Sequence, residues 1–458
     1  MAKTISAEAI LNTPQNQLNL RKYDKRIKVV ESVQKKSGKT FGFEKKVALA
    51  TMLENTRKIM EATSVGGYGA GATNSSNIPS KTFFMDMISA VVPNLIASDI
   101  VSTQAMESKA SIVSYLRYLY GTDKGATVAG TMFNNSLYTG ISDPNYSSRL
   151  IVDEQVVDGV NFEYAPILPG TVVITLPDNN TIIDDGTGNL KTPDGTAKGT
   201  INYATGAFTC ADATEGTVTR YEYNNEQVPD LKVPEIQLTL AQIPIYAKSR
   251  KLAAYWGFDA AYDLKQQYGE DITEIMATQA AAEISYEIDT EIVNDLVRLA
   301  GAGNELTWSK IPPTGVNIID HYDSFFVKLT EGSKIIFQAT QRVQPNFIVC
   351  GTNVAAVIEV MRQFDGTGAS DAVGPHFIGT LGGKYKVYVV PLMQEDTFVM
   401  GYKGSNFLET GYIYAPYMPV LSTDILMPAD FKGQQGYATS YGKKMVNSKM
   451  YLRGKIVG

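Results

Sequence analysis

The chain has 458 residues and a formal net charge of −6, with 44% hydrophobic and 19% charged residues. This length can bury more than one hydrophobic core, and the composition is typical of a folded globular protein. No apolar run is long enough to span a bilayer, and the N-terminus lacks the apolar core of a secretory signal, so we expect cytoplasmic synthesis. Cys210 and Cys350 are the only cysteines, which excludes a disulfide framework and indicates two ordinary packed thiols.

Charge is distributed unevenly along the chain. Residues 1–61, here called the basic head, contain 13 Lys and Arg but 6 Asp and Glu, a net charge of +7, and the remaining body carries −13. This asymmetry indicates two partners of opposite charge, or a head that is present only temporarily. The alternative is a solvated pair of basic helices without a function. An acidic body disfavours binding to nucleic acid phosphates, whereas the head could bind nucleic acid or an acidic protein.

Residues 1–61 are predicted to be helical, and a linker, a second helical region and a strand are predicted to follow. In the head, Val47, Leu49, Met52 and Leu53 belong to an apolar pattern that suits one face of a helix and continues to residue 60. Residues 62–77 are rich in Gly, Ser and Asn, which predicts a linker, and the segment lacks the ending of a phosphate-binding loop. An amphipathic helix ending at Pro93 and a strand over 110–120 are expected next.

Residues 160–225 have a different sequence pattern, with runs typical of β-strands and no helical period. The runs are separated by dipeptides that favour turns with positive φ, namely Asp185-Gly186, Asp194-Gly195 and Thr205-Gly206. We predict a small all-β module of about six short strands. Asp184, Asp185 and Asn189 within it do not have the spacing of a calcium-binding EF-hand loop, so turn formation explains them better.

A long helix is predicted from Asp271. Apolar residues recur there at a spacing of four: Ile272, Met276, Ala280, Ile284, Ile288, Ile292 and Leu296. The other side is acidic: Glu274, Glu283, Glu287, Asp289, Glu291 and Asp295. About 30 residues give a rod of roughly 45 Å. A like-charged face of this length is unfavourable unless a cationic partner covers it, and the alternative is a face solvated by water and counter-ions.

The region after Pro312-Pro313 alternates between helical and strand-like patterns. Residues 316–341 are predicted to be helical, residues 345–351 to form a buried strand, and the next helix to be capped by Thr352 or Asn353. Residues 376–420 then show short strands and turn residues that indicate a β-meander.

No pattern in the sequence indicates a catalytic, metal or cofactor site. The two histidines, His321 and His376, are far apart and lack neighbouring ligands at zinc spacing. A G-x-S-x-G nucleophile elbow does not occur. The carboxylates of the long helix are spread along its surface and do not converge on one catalytic site. We therefore expect no catalytic residues, no cofactor and no enzymatic activity.

Several phrases of the sequence closely resemble the major capsid proteins of T-even-type contractile-tailed bacteriophages. The phrases LGGKYKVYV, GYKG and YIYAPY occur in that order within residues 381–417. Four more keep the family's order elsewhere in the chain: PNLIA (93–97), AKSRKLAA (247–254), EISYEIDTEIV (283–293) and MYLRGKIVG (450–458). The resemblance covers most of the chain outside the β module.

This resemblance implies an α+β fold of the Hong Kong 97 type, with a long spine helix, an extended hairpin loop and a small all-β insert. The implied parts are a propeptide-like head (1–61), an N-terminal arm (62–102), an extended loop (103–248) containing the insert (about 160–228), a peripheral domain (249–316) with the spine helix (257–300), an axial domain (317–417) and a return to the peripheral domain (418–458).

The resemblance also implies a function. The chain is expected to be a structural subunit that self-assembles into hexameric capsomers of an icosahedral or prolate phage head, located in the virion and enclosing DNA without specific binding. It implies synthesis in a bacterial cytoplasm, no membrane, and as partners a scaffold, a prohead protease and possible vertex, portal and decoration proteins. The alternatives are another phage assembly protein, such as a contractile tail sheath subunit, and an enzyme on an α/β scaffold.

We predict two sets of site residues, the first from the resemblance and the second from the distribution of charge. The family's subunits are trimmed after a Leu/Ile-x-Glu signal, which Ile59, Met60 and Glu61 match immediately before Ala62. The basic cluster of Lys248, Arg250 and Lys251 is expected to approach a neighbouring subunit's spine helix. The candidate acidic partners on that helix are Glu274, Glu283, Glu287 and Glu291.

Overall fold

The computed structural model describes residues 13–36, 41–66, 95–131, 143–269, 271–366, 374–404, 410–422 and 432–458. Contacts divide the chain into two compact units, one formed by Met1–Tyr115 with Ala241–Gly458 and the other by Leu116–Leu240. The helix predicted to end at Pro93 and the linker beyond residue 66 lie outside the described residues. Among the described residues, no helix combines the length and apolar character needed to cross a bilayer.

The basic head forms helices α1 (Pro14–Lys22), α2 (Asp24–Lys36) and α3 (Phe43–Gly66). The Thr13 side chain accepts a hydrogen bond from the Asn16 amide and caps α1, which begins with a proline, as helix starts often do. The helical prediction for the head is confirmed over the described residues. Helix α3 also includes residues 62–66, which were predicted to begin the linker.

The chain continues through α4 (Ala97–Ile100), β1 (Ser102–Thr103) and β2 (Ala110–Tyr120), and β2 has the bounds that the sequence predicts. The second unit then contains a seven-stranded antiparallel sheet with the strand order β3-β9-β4-β5-β6-β7-β8. Its strands are β3 (Leu150–Val156), β4 (Val173–Thr175), β5 (Thr181–Asp184), β6 (Asn189–Lys191), β7 (Ala197–Asn202), β8 (Ala207–Cys210) and β9 (Thr217–Glu222).

This sheet confirms the prediction of an all-β module. The module begins earlier than predicted, because β3 precedes residue 160. The predicted turn residues Gly186, Gly195 and Gly206 all have positive φ. The Asp184 carboxylate accepts hydrogen bonds from the amides of Gly170 (2.6 Å) and Gly186 (3.0 Å), as the turn interpretation expects.

Strand β10 (Ile236–Tyr246) pairs with β2 in a two-stranded sheet, the extended hairpin of the predicted fold. Next come β11 (Lys248–Gly257) and the helices α5 (Phe258–Tyr268) and α6 (Ile272–Leu299). The predicted spine over 257–300 is therefore two helices. Gly269 ends α5 with a φ of 72°, and the Asp271 side chain caps α6 by accepting a 2.9 Å hydrogen bond from the Thr273 amide.

The remaining elements complete the first unit. They are β12 (Leu306–Ser309), α7 (Ile318–Thr340), β13 (Phe347–Cys350), α8 (Thr352–Val360), β14 (Phe364–Gly366), β15 (His376–Leu381), β16 (Tyr385–Val389), β17 (Thr397–Gly401), β18 (Tyr412–Ser422), β19 (Lys432–Met445) and β20 (Tyr451–Val457). Helix α8 follows Gly351 without a side-chain cap, so the prediction of a cap at Thr352 or Asn353 is wrong.

Two sheets organise these elements. One has the order β1-β18-β19-β11, and the other is a mixed sheet with the order β12-β20-β17-β13-β16-β15-β14. The predicted meander over 376–420 is wrong beyond its first hairpin, because β13 lies between β16 and β17, and β18 belongs to the other sheet. In a meander β17 would pair with β16, but β13, which is distant from both in sequence, occupies that position.

The apolar stripe of α6 lies in the core of the first unit. Ile284, Ile288, Ile292 and Leu296 are each at most 3% exposed and share one hydrophobic cluster with tyrosines of β18 and β19. The spacing of four therefore predicts the buried face of this helix correctly. Its 28 residues give a rod of about 42 Å.

Candidate functional site

The acidic face of α6 binds two basic residues of the four-stranded sheet. Arg250 on β11 places one guanidinium nitrogen 2.7 Å from Glu287 Oε2, and its other terminal nitrogen contacts Glu291. Lys443 Nζ on β19 lies 2.7 Å from Glu291 Oε1 and 2.5 Å from Asp295 Oδ2. The acids share one helix face because they are four residues apart. We call these five side chains, with the two tyrosines described next, the helix clamp.

Two tyrosines complete the helix clamp. The Tyr441 hydroxyl donates a hydrogen bond to Glu291, and the Tyr412 hydroxyl donates to Asp295 Oδ2 at 2.9 Å. The Arg250 guanidinium also lies 5.7 Å from the centre of the Tyr441 ring, a cation–π distance. Tyr441 and Lys443 reach the same helix because residues two apart on a strand project from one face.

Electrostatics keep the helix clamp charged at neutral pH. Burial alone would raise the pKa of Glu291, but hydrogen bonds from Lys443, Tyr441 and Arg250 outweigh it and lower that pKa to about 2. Burial, together with the hydrogen bond to Glu291, raises the pKa of Tyr441, which therefore remains a donor.

The sequence predicts contacts of the basic cluster with a neighbouring subunit, whereas the structure forms two contacts of Arg250 within a single chain. Arg250 meets Glu287 and Glu291 of its own α6. Lys248 and Lys251 are exposed on the same strand and make no ion pair within the described part of the chain. Glu274 and Glu283 are likewise exposed and unpaired among the described residues. Lys443 was missed, although its alternation with Tyr441 along β19 is visible in the sequence.

Asp289 does not belong to the solvated acidic face on which the sequence placed it. It is only 4% exposed, and its carboxylate accepts hydrogen bonds from the amides of Ile96 (3.0 Å) and Ala97 (2.9 Å). These amides open the short helix α4, so Asp289 fastens residues 95–97 to the middle of α6. Charge-assisted hydrogen bonds of this kind are stronger than neutral ones.

Helix α3 of the basic head is fastened to the body by polar contacts at two levels. Near its start, Glu44 Oε1 accepts a 2.7 Å hydrogen bond from the Thr103 amide. About three turns further along the helix, the buried Asn55 side-chain amide donates to Met106 O (2.8 Å) and Tyr417 O (3.0 Å). The head is therefore a docked part of the first unit in this chain.

The cleavage candidate lies inside this docked helix. Ile59, Met60, Glu61 and Ala62 belong to the last turns of α3, which ends at Gly66. The peptide bond after Glu61 is thus helical in the structure. The sequence predicts that the linker begins at Ala62, directly after the cleavage signal, whereas the helix continues to Gly66.

The histidines and cysteines occupy structural positions. His321 Nε2 lies 2.8 Å from Ser309 O and its ring stacks on Trp308, while His376 Nδ1 lies 2.8 Å from Gly374 O. Cys210 and Cys350 are buried, and burial raises the pKa of both thiols. Over the described ranges, no group of three or more His, Cys, Asp and Glu side chains is placed to hold a metal ion.

Comparison with known proteins gives a consistent result. A family model described as "Major capsid protein Gp23" matches residues 80–457. The major capsid protein of Enterobacteria phage T4 is 27% identical over 404 residues, which cover 81% of this chain and 76% of that protein. The major capsid protein of Enterobacteria phage T6 is 28% identical over 407 residues, covering 81% and 79%.

Solved structures also align with the chain. A chain from Mycobacterium phage Bobi aligns with a TM-score of 0.39 and 10% identity over 87% of this chain and 98% of that one. The assignment rests on the family model and the sequences of the relatives. Both confirm the predicted function as a phage major capsid protein located in the virion shell, and neither supports the tail sheath alternative. Because the family model spans most of the sequence, this chain belongs to the Gp23 family of major capsid proteins.

Proposed function

We propose that the subunit assembles into hexameric capsomers of a phage head and acts by association rather than by catalysis. The observation that carries this proposal is the match to a capsid family over residues 80–457. Exposed apolar side chains of the single chain support it, because large patches of this kind mark surfaces that partners cover.

One such surface lies on the extended hairpin. Ile236, Leu238 and Leu240 alternate along β10, and each is more than half exposed. Residues two apart project from the same face of a strand, so the three side chains form one aliphatic ridge. A ridge of this kind on an extended arm suits a contact with a neighbouring copy.

A second apolar surface lies around α5. No residue of this helix is buried, and its Phe258, Tyr262 and Tyr268 are exposed together with Tyr255 on the preceding strand. Aromatic residues are enriched at protein interfaces. We assign this aromatic surface as the place where the aliphatic ridge of a neighbouring copy packs.

The head is the part of the subunit that we assign to assembly. Its net charge of +7 suits an acidic scaffold protein, and the sequence at Ile59, Met60 and Glu61 suits removal by a prohead protease. Because the bond after Glu61 lies within α3, the end of the helix must unwind before a protease can cleave it. Cleavage alone leaves the rest of α3 held by its contacts with the body.

Lys248 and Lys251 are proposed to contact acidic residues of a neighbouring subunit. Glu274 and Glu283 are the candidate partners on α6, because both are exposed and unpaired among the described residues. The acidic body suits a shell that encloses DNA without binding it specifically. Portal, vertex and decoration proteins would contact the assembled shell rather than the isolated subunit.

Electron microscopy of the purified full-length protein tests the proposal, alongside a chain that begins at Ala62. Closed shells or hexagonal sheets are expected, and a difference between the two chains would show what the head controls. Tubes of stacked rings, or a monomer in both cases, would contradict it. Co-expression with the phage's protease tests the cleavage site, with Glu61→Gln expected to block removal and Lys58→Gln, at an exposed position of the same helix, as the control.

A further inference from the structure

A compact cluster of four charges joins the head to the body. Helix α3 contributes Glu44 and Lys45, and the body contributes Asp99 on α4 and Lys403 after β17. The Lys45 ammonium contacts the Asp99 carboxylate, and both side chains are about 15% exposed. Lys403 Nζ donates a 2.5 Å hydrogen bond to the carbonyl oxygen of Ser98, the residue before Asp99.

The cluster is coupled across the contact between head and body. Burial lowers the pKa of Lys403 to about 8, and the negative charges of Glu44 and Asp99 act against this shift. Lys45 and Lys386 are the further cations that face it. Burial likewise raises the pKa of Glu44, and Lys403 is the main charge that opposes that change. Lys403 therefore has one acid on the head and one on the body.

Within the cluster, the head and the body each carry as many acidic as basic side chains. The head contributes one acid and one base, and so does the body. A buried charge left without a counter-charge is unfavourable, so separating two sides that each carry one sign would be strongly opposed. Among these four side chains neither side is left with a net charge, and Lys386, the further cation on the body, is exposed to solvent. After separation, Asp99 would remain on the body next to Ser98, whose carbonyl oxygen already accepts a hydrogen bond from Lys403.

We propose that Glu44, Lys45, Asp99 and Lys403 form a separable latch, in which Asp99 exchanges Lys45 for Lys403 when the head leaves. The latch holds the head in the precursor, and the exchange replaces the ion pair with Lys45 that Asp99 loses when the head leaves. This inference rests on the proposed removal of the head and specifies how the body accommodates it.

The test measures the interaction between Asp99 and Lys403 with and without the competing lysine. Asp99→Asn and Lys403→Met are made singly and together in the full chain, and again in a Lys45→Met background. Local opening of residues 100–106 is followed by amide hydrogen exchange in the unassembled subunit, which reports local stability in a chain of several units. The coupling is the non-additive change in the opening constant.

We expect the coupling in the Lys45→Met background to exceed that in the native background by at least about threefold in the opening constant. Lys25→Met is the matched control, because it removes an exposed charge of the head outside the latch and should leave the coupling unchanged. Equal coupling in all three backgrounds would overturn the latch.

A charge swap keeps the latch testable if a neutral variant fails to fold. Lys45→Glu places two acids in contact and should raise exchange of the α3 amides between Val47 and Asn55, and adding Asp99→Lys should restore their protection. Failure of the second change to restore protection would also overturn the latch. Both measurements use unassembled full-length subunits, so their outcome is independent of whether shells form or the head is cleaved.

Discussion

Two helices of the first unit are held against the four-stranded sheet and its neighbours by charged side chains, and they differ in where the opposite charges lie. In the helix clamp, all the acids are on α6 and the bases, Arg250 and Lys443, are on strands. At the contact of α3 with the body, each side supplies one acid and one base. Separating α6 would leave net charge on both surfaces, whereas separating α3 would not. In our proposal, the position of the counter-charges makes the contact of α3 separable and that of α6 permanent.

Removing the carboxylate of Asp289 should have the largest effect, at a second contact of α6, the one with residues 95–97. Asp289→Ala leaves the amides of Ile96 and Ala97 without their acceptor in a buried place, and we expect a local loss of about 2–4 kcal/mol. Hydrogen exchange of residues 96–101 measures this loss. Glu283→Ala, an exposed site on the same helix, is the control. Equal protection in both variants would show that Asp289 does not fasten this segment.

Acid should weaken the helix clamp below about pH 4.5, because the clamp keeps Glu291 ionised to a lower pH than an ordinary carboxylate. The pKa of Glu291 is about 2 in the folded chain, below the ordinary value of 4.5, so its stabilisation is present above about pH 4.5 and is lost as pH falls towards 2. Denaturant unfolding of the unassembled subunit between pH 5 and pH 2.5 measures this loss. Glu291→Gln should lower the stability at pH 7 by about 2 kcal/mol and flatten the pH dependence. An unchanged slope would contradict this prediction.

Asn55 anchors the separable helix and should have a smaller effect. Asn55→Ala removes two hydrogen bonds to backbone carbonyl groups, at Met106 and Tyr417, and should loosen α3 by about 1–2 kcal/mol. Exchange of the α3 amides reports the effect, and α6 should be unaffected. Parallel loss of protection in α6 would mean that the two helices open together, and the comparison would fail.

Reversal of the exposed lysines should have the smallest effect on the subunit itself. Lys248→Glu with Lys251→Glu should change subunit stability by less than about 0.5 kcal/mol, because neither side chain has a described ion pair. Assembly should weaken instead, as measured by light scattering, and Glu274→Lys with Glu283→Lys should restore it. Normal assembly of the reversed subunit would remove these residues from the proposed interface.

Local patterns predicted some elements well because their cause is local. The spacing of four along α6 predicts its buried face, and Gly186, Gly195 and Gly206 have the positive φ that their turns require. Strand β3 was missed because its period is interrupted at Asp153, which has a φ of 58° and lies where the register with β9 shifts.

The sequence by itself determined the family, the α+β class, the long amphipathic helix and the uneven charge, since each depends on residue identity and short-range spacing. Tertiary structure alone decided that β13 lies between β16 and β17, that Asp289 is buried, and that Arg250 finds its acids within its own chain. A helical period gives the angle of each side chain around its axis but not which element covers that angle. Counter-charges and strand neighbours are chosen by parts of the chain far away in sequence, so they become visible only once the chain is folded.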